Sequence, residues 1–181
     1  MTHENAFQTH ENGKCCFLDI ETTGLDKQRH EVTVIGLYNG EDSKFFINGR
    51  NLKDFRSEIE KYDLIVSFNG KCFDVPFLER NLKGLNLKND MFHIDLRYEM
   101  KKIGYSGGLK SIEKDLNVSR SDETQGVDGY EAVILWKKYK KGDKSALKKL
   151  LHYNREDIEN LENLMDFAYG KLRKNRFEVH A

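Results

Sequence analysis

The chain has 181 residues, and its 30 basic and 30 acidic side chains give a formal net charge of zero, so its overall field does not gather polyanions and a nucleic-acid partner has to meet a local basic patch. A chain with 33% charged and 11% aromatic residues has the composition of a folded, water-facing domain rather than a disordered one. No apolar run approaches the roughly 18 residues of a membrane helix, and Met1–Asn5 lacks the basic and apolar regions of a signal peptide, which predicts a cytoplasmic protein with no membrane partner.

Residues 1–13 are polar, repeat Thr-His-Glu-Asn without any longer period, and are expected to form a loose tail. Cys15–Ile20, Glu31–Tyr38 and Ser43–Ile47 are rich in β-branched and aromatic residues and predict three strands, the last two joined by an Asn39-Gly40 turn. Leu52, Phe55 and Ile59 at helical spacing predict a helix over 51–61, and Leu64–Phe68 a fourth strand. Phe73–Leu82 reads as a helix starting near Asp74, with Pro76 in its first turn and a stop at Gly84; Met91–Ile94 is a fifth strand. Helices are then expected at 108–116, 128–141 and 143 to about 168, with Leu147, Leu150, Leu151, Ile158, Leu161, Leu164, Met165 and Ala168 as the apolar stripe of the last. The pattern predicts an α/β fold, a five-stranded mixed sheet flanked by helices, as one domain over 14–170, followed by a basic tail at 171–181. Cys15, Cys16 and Cys72 are an odd number without C-x-x-C spacing, which excludes a disulfide framework and predicts small buried residues.

Three positions stand out chemically. Asp19 and Glu21 are two apart on the first strand, so their carboxylates share a face and repel each other unless a hard divalent cation lies between them; alone, such a pair also fits exposed acids at a strand end. Asp74 follows the fourth strand, where ligands gather in α/β sheets, and equally suits a helix N-cap. Tyr153 and Asp157, four apart on the last helix, can point together at something beside the sheet. Asp95 at the end of the fifth strand is expected to cap the next helix, and His93 to be a satisfied strand residue. Charge is uneven: the first ninety residues carry 12 basic and 15 acidic side chains, the remainder 18 and 15. Lys137, Lys138, Lys140, Lys141, Lys144, Lys148 and Lys149 lie near Trp136 and Tyr139, a stretch that either tracks phosphates while the aromatics stack on bases or is a solvated face over core aromatics.

D-x-E on the first strand, F-D-x-P after the fourth and Y-x-x-x-D on the late helix resemble, in that order, the three motifs of the DEDD superfamily of 3′-5′ exonucleases, which have the ribonuclease-H-like fold. Leu109–Glu113, Asp128–Trp136 and Tyr153–Leu161 are similar to YprB-type exonuclease-like domains, and the resemblance runs over about residues 14–166. It implies that Asp19, Glu21, Asp74 and Asp157 hold two Mg2+ or Mn2+ ions, and that Tyr153, a poor base with an ordinary pKa near 10, orients the attacking water. It further implies that Thr22 meets the 3′ end, Leu25 packs on the terminal base and Asn69 touches the strand; from the basic stretch, not from the resemblance, Lys137 and Lys138 are added as expected backbone contacts.

The implied activity is a monomeric, metal-dependent exonuclease releasing nucleoside 5′-monophosphates from DNA or RNA. A ribonuclease-H-like endonuclease or junction resolvase, and an inactive binding module, are the alternatives; the late Y-x-x-x-D argues against the first and the complete set of acids against the second. His152 lies five before Asp157, the spacing of the histidine class. On an unbroken helix Tyr153 is about 40° from Asp157 and His152 about 140°, so the tyrosine is the expected neighbour.

Overall fold

Alternation along the first strand organises the molecule. The computed structural model describes residues 14–178, with side chains described through Lys174; the expected 1–13 tail lies outside the described residues. In β1 (Cys15–Thr22), Cys16, Leu18 and Ile20 face one core and Cys15 and Phe17 the other, as the period of two requires. Antiparallel β2 (Val32–Tyr38) and β3 (Ser43–Ile47) lie on one side of β1, parallel β4 (Leu64–Ser67) and β5 (Phe92–Asp95) on the other. The five-stranded order is β3-β2-β1-β4-β5. The mixed sheet is the expected one.

One face is covered by α1 (Phe55–Ile59, after a 3-10 turn at Leu52–Asp54) and α2 (Asp74–Asn81), which bury Phe55, Ile59, Phe77 and Leu78 against Leu18 and Ile35. The four-residue α3 (Leu87–Asp90) leads into β5 and was too short for periodicity to reveal. The other face takes α4 (Leu96–Lys102), α5 (Leu109–Asp115), α6 (Gly129–Lys140) and the long α7 (Lys144–Glu178). The N-terminal half of α7 packs with α6 over Val34 and Ile47, through Leu135, Leu147 and Leu150; its C-terminal half lays Ile158, Leu161 and Leu164 on Phe17, Leu64 and Val66.

Several boundaries differ from expectation for identifiable reasons. β1 runs two residues further, because β2 pairs with it through Thr22 across an irregularity at Glu21/Thr22. Helix α7 continues past Ala168 to Glu178, so residues 171–178 of the expected tail are helical; Phe167 packs edge-on against Tyr105 and Lys171 lies over Phe167, extending contacts beyond the apolar stripe. Among the described residues no helix is long and apolar enough to cross a membrane.

Cys15 and Cys16 are buried as expected, whereas Cys72 is exposed, with its sulfur 3.2 Å from the Tyr98 hydroxyl. Burial pushes the Cys15 thiol up to about 12 and raises Cys16 as well, so neither forms the reactive thiolate near neutral pH. A thiol titration with a disulfide reagent should therefore count one group in the folded protein and three in denaturant; two or more fast groups in the native state would contradict this packing.

Candidate active site

Strands β1, β4 and β5 are parallel, so their C-terminal ends share one edge of the sheet, the edge where ligands bind in such sheets. Asp19 and Glu21 continue the line of Cys15 and Phe17 toward α7, and Asp157 comes down from α7 onto the same spot. One carboxylate oxygen from each of the three lies within 4.8 Å of the others. Asp74 sits beside them in the first turn of α2. Its carboxylate does not cap that helix but accepts the Ile20 backbone N–H at 3.1 Å, which ties α2 to β1 between the two strand acids.

Asp95 ends β5 and does cap α4, accepting from the Arg97 N–H at 3.2 Å. It also accepts the N–H groups of Asn69 and Lys71 at 2.7 and 3.0 Å, and so shapes the loop leading to Asp74. Asn69 takes a left-handed conformation, φ 67°, and its side chain accepts from Arg97 at 2.7 Å. His93 pairs with Ser67 Oγ at 2.7 Å, and burial lowers its pKa to about 4, as a satisfied strand residue should behave.

Glu21, Asp74 and Asp157 are buried and Asp19 is half-buried, with too few counter-charges around them. Burial, then the mutual repulsion of the cluster, raises Asp19 and Glu21 well above the ordinary carboxylate range, opposed by Arg120 at Asp19 and by Lys110 at Glu21. Burial lifts Asp74 to about 7 against the pull of backbone N–H groups, and lifts Asp157 to about 6 against the pull of Arg120. Among the described residues, Glu21 Oε1 is buried without any hydrogen-bond partner. Hard oxygen donors, mutual crowding and an orphaned buried carboxylate oxygen together fit a divalent cation.

Residues outside the expected set support the cluster. Asn154 is fully buried and donates from Nδ2 to Asp19 Oδ2 at 2.7 Å. Arg120 donates to Asp157 Oδ1 at 2.5 Å and to both Glu113 oxygens at 2.7 and 2.8 Å. Its loop is fixed to α7 because Glu156 accepts from the Ser121 N–H at 2.7 Å and from the Thr124 hydroxyl. Asn154 could have been found in the sequence, since it lies three before Asp157 on one helix face. Arg120 lies in a loop where no periodicity applies.

Tyr153 is buried and lines the same cleft as Asp19 and Asp157; burial and the neighbouring acids drive its hydroxyl further from ionisation. His152 lies on the other side of the unbroken helix, 3.0 Å from Ser121 Oγ and near Glu156. A cavity of about 620 Å3 opens from the acids, lined by Thr22, Leu25, Phe73, Tyr130, Val133 and Tyr153. Leu25 and Tyr130 flank it with 84% and 75% of their surface exposed. Thr22 is buried and donates to the Gly24 carbonyl at 2.8 Å.

Lys137 and Lys138 are exposed and line neither this cavity nor the smaller cleft beside Tyr153. Of the two readings of the nearby aromatics, their packing agrees with core residues: Trp136 is buried, and Tyr139 packs on Trp136 and accepts from Arg50 Nε at 3.0 Å.

A family model described as the RNase_H superfamily matches residues 16–169. An uncharacterized protein of Methanocaldococcus jannaschii is 27% identical over 159 residues, 78% of this chain and 88% of its own. Among solved structures, the family B DNA polymerase of Pyrobaculum calidifontis superposes with a TM-score of 0.65 at 19% identity; the match covers 84% of this chain and 24% of the polymerase, so the chain spans about a quarter of that protein. Brucella melitensis NrnC matches with a TM-score of 0.59 at 19% identity over 90% of this chain and 75% of its own, and has also been solved with bound Mg2+ and with pGG.

Two outcomes follow from this geometry. Gly36 faces Asp19 across the β1–β2 ladder, and a Cβ there would lie 2.1 Å from Asn154 Oδ1. Gly36→Ala should therefore cost about 1–3 kcal/mol in denaturant unfolding, with part of the loss recovered by adding Asn154→Ala; a neutral Gly36→Ala would contradict the close approach. The second outcome concerns pH. Above about pH 4 an unfolded carboxyl gives up its proton, whereas folded Asp157 and Asp74 keep theirs to about 6 and 7. The folded state then binds more protons, so stability falls as pH rises through this window. Metal-free melting temperature should drop between about pH 4 and 7, and added Mn2+ should raise it more at the higher pH; an equal Mn2+ effect at both would count against a cation among these acids.

Proposed function

The chain belongs to the RNase_H superfamily, and from that premise we propose that it is a metal-dependent 3′-5′ exonuclease of the tyrosine class of DEDD enzymes. It would act on DNA or RNA and release nucleoside 5′-monophosphates. The observation that carries this reading is the convergence of Asp19, Glu21 and Asp157 oxygens within 4.8 Å, with Asp74 alongside and Tyr153 in the same cleft. The likeness in fold to NrnC, solved with Mg2+ and with pGG, supports it.

Asp19, Glu21 and Asp157 would hold two divalent ions, Mg2+ or Mn2+, with Asp74 serving from its place on the Ile20 N–H. Bound there, the ions supply a more acidic water and neutralise charge on the phosphoryl oxygens. The protein's own groups do the rest. Asn154 and Arg120 keep Asp19 and Asp157 in their rotamers through the hydrogen bonds at 2.7 and 2.5 Å. Tyr153 stays protonated and orients the attacking water as a hydrogen-bond donor or acceptor rather than taking its proton. Attack on phosphorus breaks the bond to the 3′-oxygen of the preceding nucleotide, which leaves with a proton as the new 3′ hydroxyl. Thr22 and Leu25 border the cavity in which the departing nucleoside would sit; Asn69 is assigned to the strand more weakly, because its side chain is engaged by Arg97. Lys137 and Lys138 would touch only a strand long enough to leave the cleft.

The test is a panel of 5′-labelled DNA and RNA oligonucleotides, linear and circular, with Mg2+ or Mn2+. Stepwise shortening from the 3′ end, no cutting of circles and no activity in EDTA are expected; cutting of circles would make the protein an endonuclease. Asp19→Ala should abolish turnover. Tyr153→Phe should lower kcat on the order of 10²–10³-fold, the usual effect of losing one preorganised hydrogen bond at the reacting group, and His152→Ala should leave it within about two-fold; the reverse order would place the protein in the histidine class.

A further inference from the structure

Among the described residues, two buried cationic atoms beside the acids have no hydrogen-bond acceptor. Lys110 Nζ is shielded from solvent, makes no hydrogen bond, and lies 4.4 Å from the centroid of the Tyr153 ring. Arg120 spends Nε and Nη2 on Glu113 and Asp157, and its Nη1 is likewise buried and unpartnered. Its side chain is only 10% exposed. Ammonium and guanidinium groups are donors only, and withholding water from them without an acceptor is costly. Two such atoms on neighbouring residues call for an anion.

The carboxylates that line the adjoining pocket are already committed. Glu113 accepts from Arg120 and from Asn160 Nδ2 at 2.9 Å, and Asp128 caps α6 through the Glu131 N–H at 2.9 Å. The described residues show no ion pair for Lys110 within 4.0 Å. Beside both cations is a pocket of about 450 Å3, bounded by Lys110, Glu113, Lys114, Arg120, Gln125 and Asp128 among others. It borders the cleft that holds Asp19, Tyr153 and Asp157, and Lys110 and Asp128 form the wall the two share. An anion there lies one wall away from the metal-ligand carboxylates, not on them.

We propose that Lys110 and Arg120 form a second phosphate seat, which holds the internucleotide phosphate one step toward the 5′ end from the bond that is cut. The inference rests on the exonuclease reading and gives its substrate a fixed second contact. It makes Lys110 a substrate-binding residue and gives its buried ammonium the acceptor that the described residues do not provide.

The experiment uses an Asp19→Asn background to prevent turnover, with Mn2+ present in every binding measurement. The probes are 5′-fluorescein hexanucleotides in deoxy and 2′-O-methyl form, with one linkage at a time made neutral as a methylphosphonate. Lys110→Met should weaken binding of the unmodified strand about 5- to 10-fold and flatten the log K against log salt slope by about 0.7, the share of one single-strand phosphate. Neutralising the penultimate linkage should weaken the parent by a similar factor and leave Lys110→Met unaffected, while Lys110→Arg should keep the coupling. Because the replaced ammonium has no hydrogen-bond acceptor and a methionine can keep the contact with the Tyr153 ring, Lys110→Met should melt at or above the parent temperature. Coupling confined to the 3′-terminal linkage, coupling at no linkage, or a Lys110→Met protein that melts lower would each overturn the second seat. Failure of the Lys110-containing protein to bind any unmodified strand would instead remove the exonuclease reading itself.

Discussion

Four carboxylates gathered at the end of one buried strand set the terms for the surrounding structure. Like charges this close in a poorly solvated place disfavour ionisation, and the folded chain answers with whatever can be brought near: the Ile20 N–H for Asp74, the Asn154 amide for Asp19, the Arg120 guanidinium for Asp157. Each answer recruits a different element. The first joins α2 to β1, the second α7 to β1, and the third brings the loop after α5 onto α7. The packing of α7 across the sheet is therefore tied to the electrostatics of β1 as firmly as to the burial of Ile158 and Leu161.

This arrangement has a cost in stability that a different sequence would avoid. A buried ion pair held for its own sake is often no better than apolar packing, and here the count of acids exceeds that of cations. Gly36 adds a second cost: a residue without a side chain in the middle of β2 weakens the strand, yet nothing larger leaves room for Asn154 above Asp19. Two such costs in stability falling on one spot mark where a fold serves a chemical purpose.

Much of this was legible in the sequence, because the signals were periodic. The i, i+2 spacing of Asp19 and Glu21 and the i, i+4 spacing of Tyr153 and Asp157 are geometric statements once strand and helix are recognised, and the order of elements followed from the same periods. The ends of elements were less legible. Thr22 and the last turns of α7 depend on pairing with β2 and on Phe167 meeting Tyr105, contacts between residues far apart in the chain. Lys110 and Arg120 were invisible as site residues for a similar reason. One opens a short helix and the other sits in a loop, and only tertiary packing places both against Tyr153. The exposure of Cys72 could not be read from composition, since a cysteine's burial depends on which way its loop turns.

The balance of charge at the cleft carries the argument one step further. With Asp19, Glu21, Asp74 and Asp157 ionised, the two cations Lys110 and Arg120 leave the region acidic, and a polyanion would be repelled. Two divalent ions in the proposed place would reverse that sign, freeing Lys110 and the unpaired Nη1 of Arg120 to attract a phosphate rather than to offset carboxylates. A molecule of zero net charge has no long-range field to draw in a strand. Its attraction for nucleic acid would then be created locally, and only in the protein that is ready to cut.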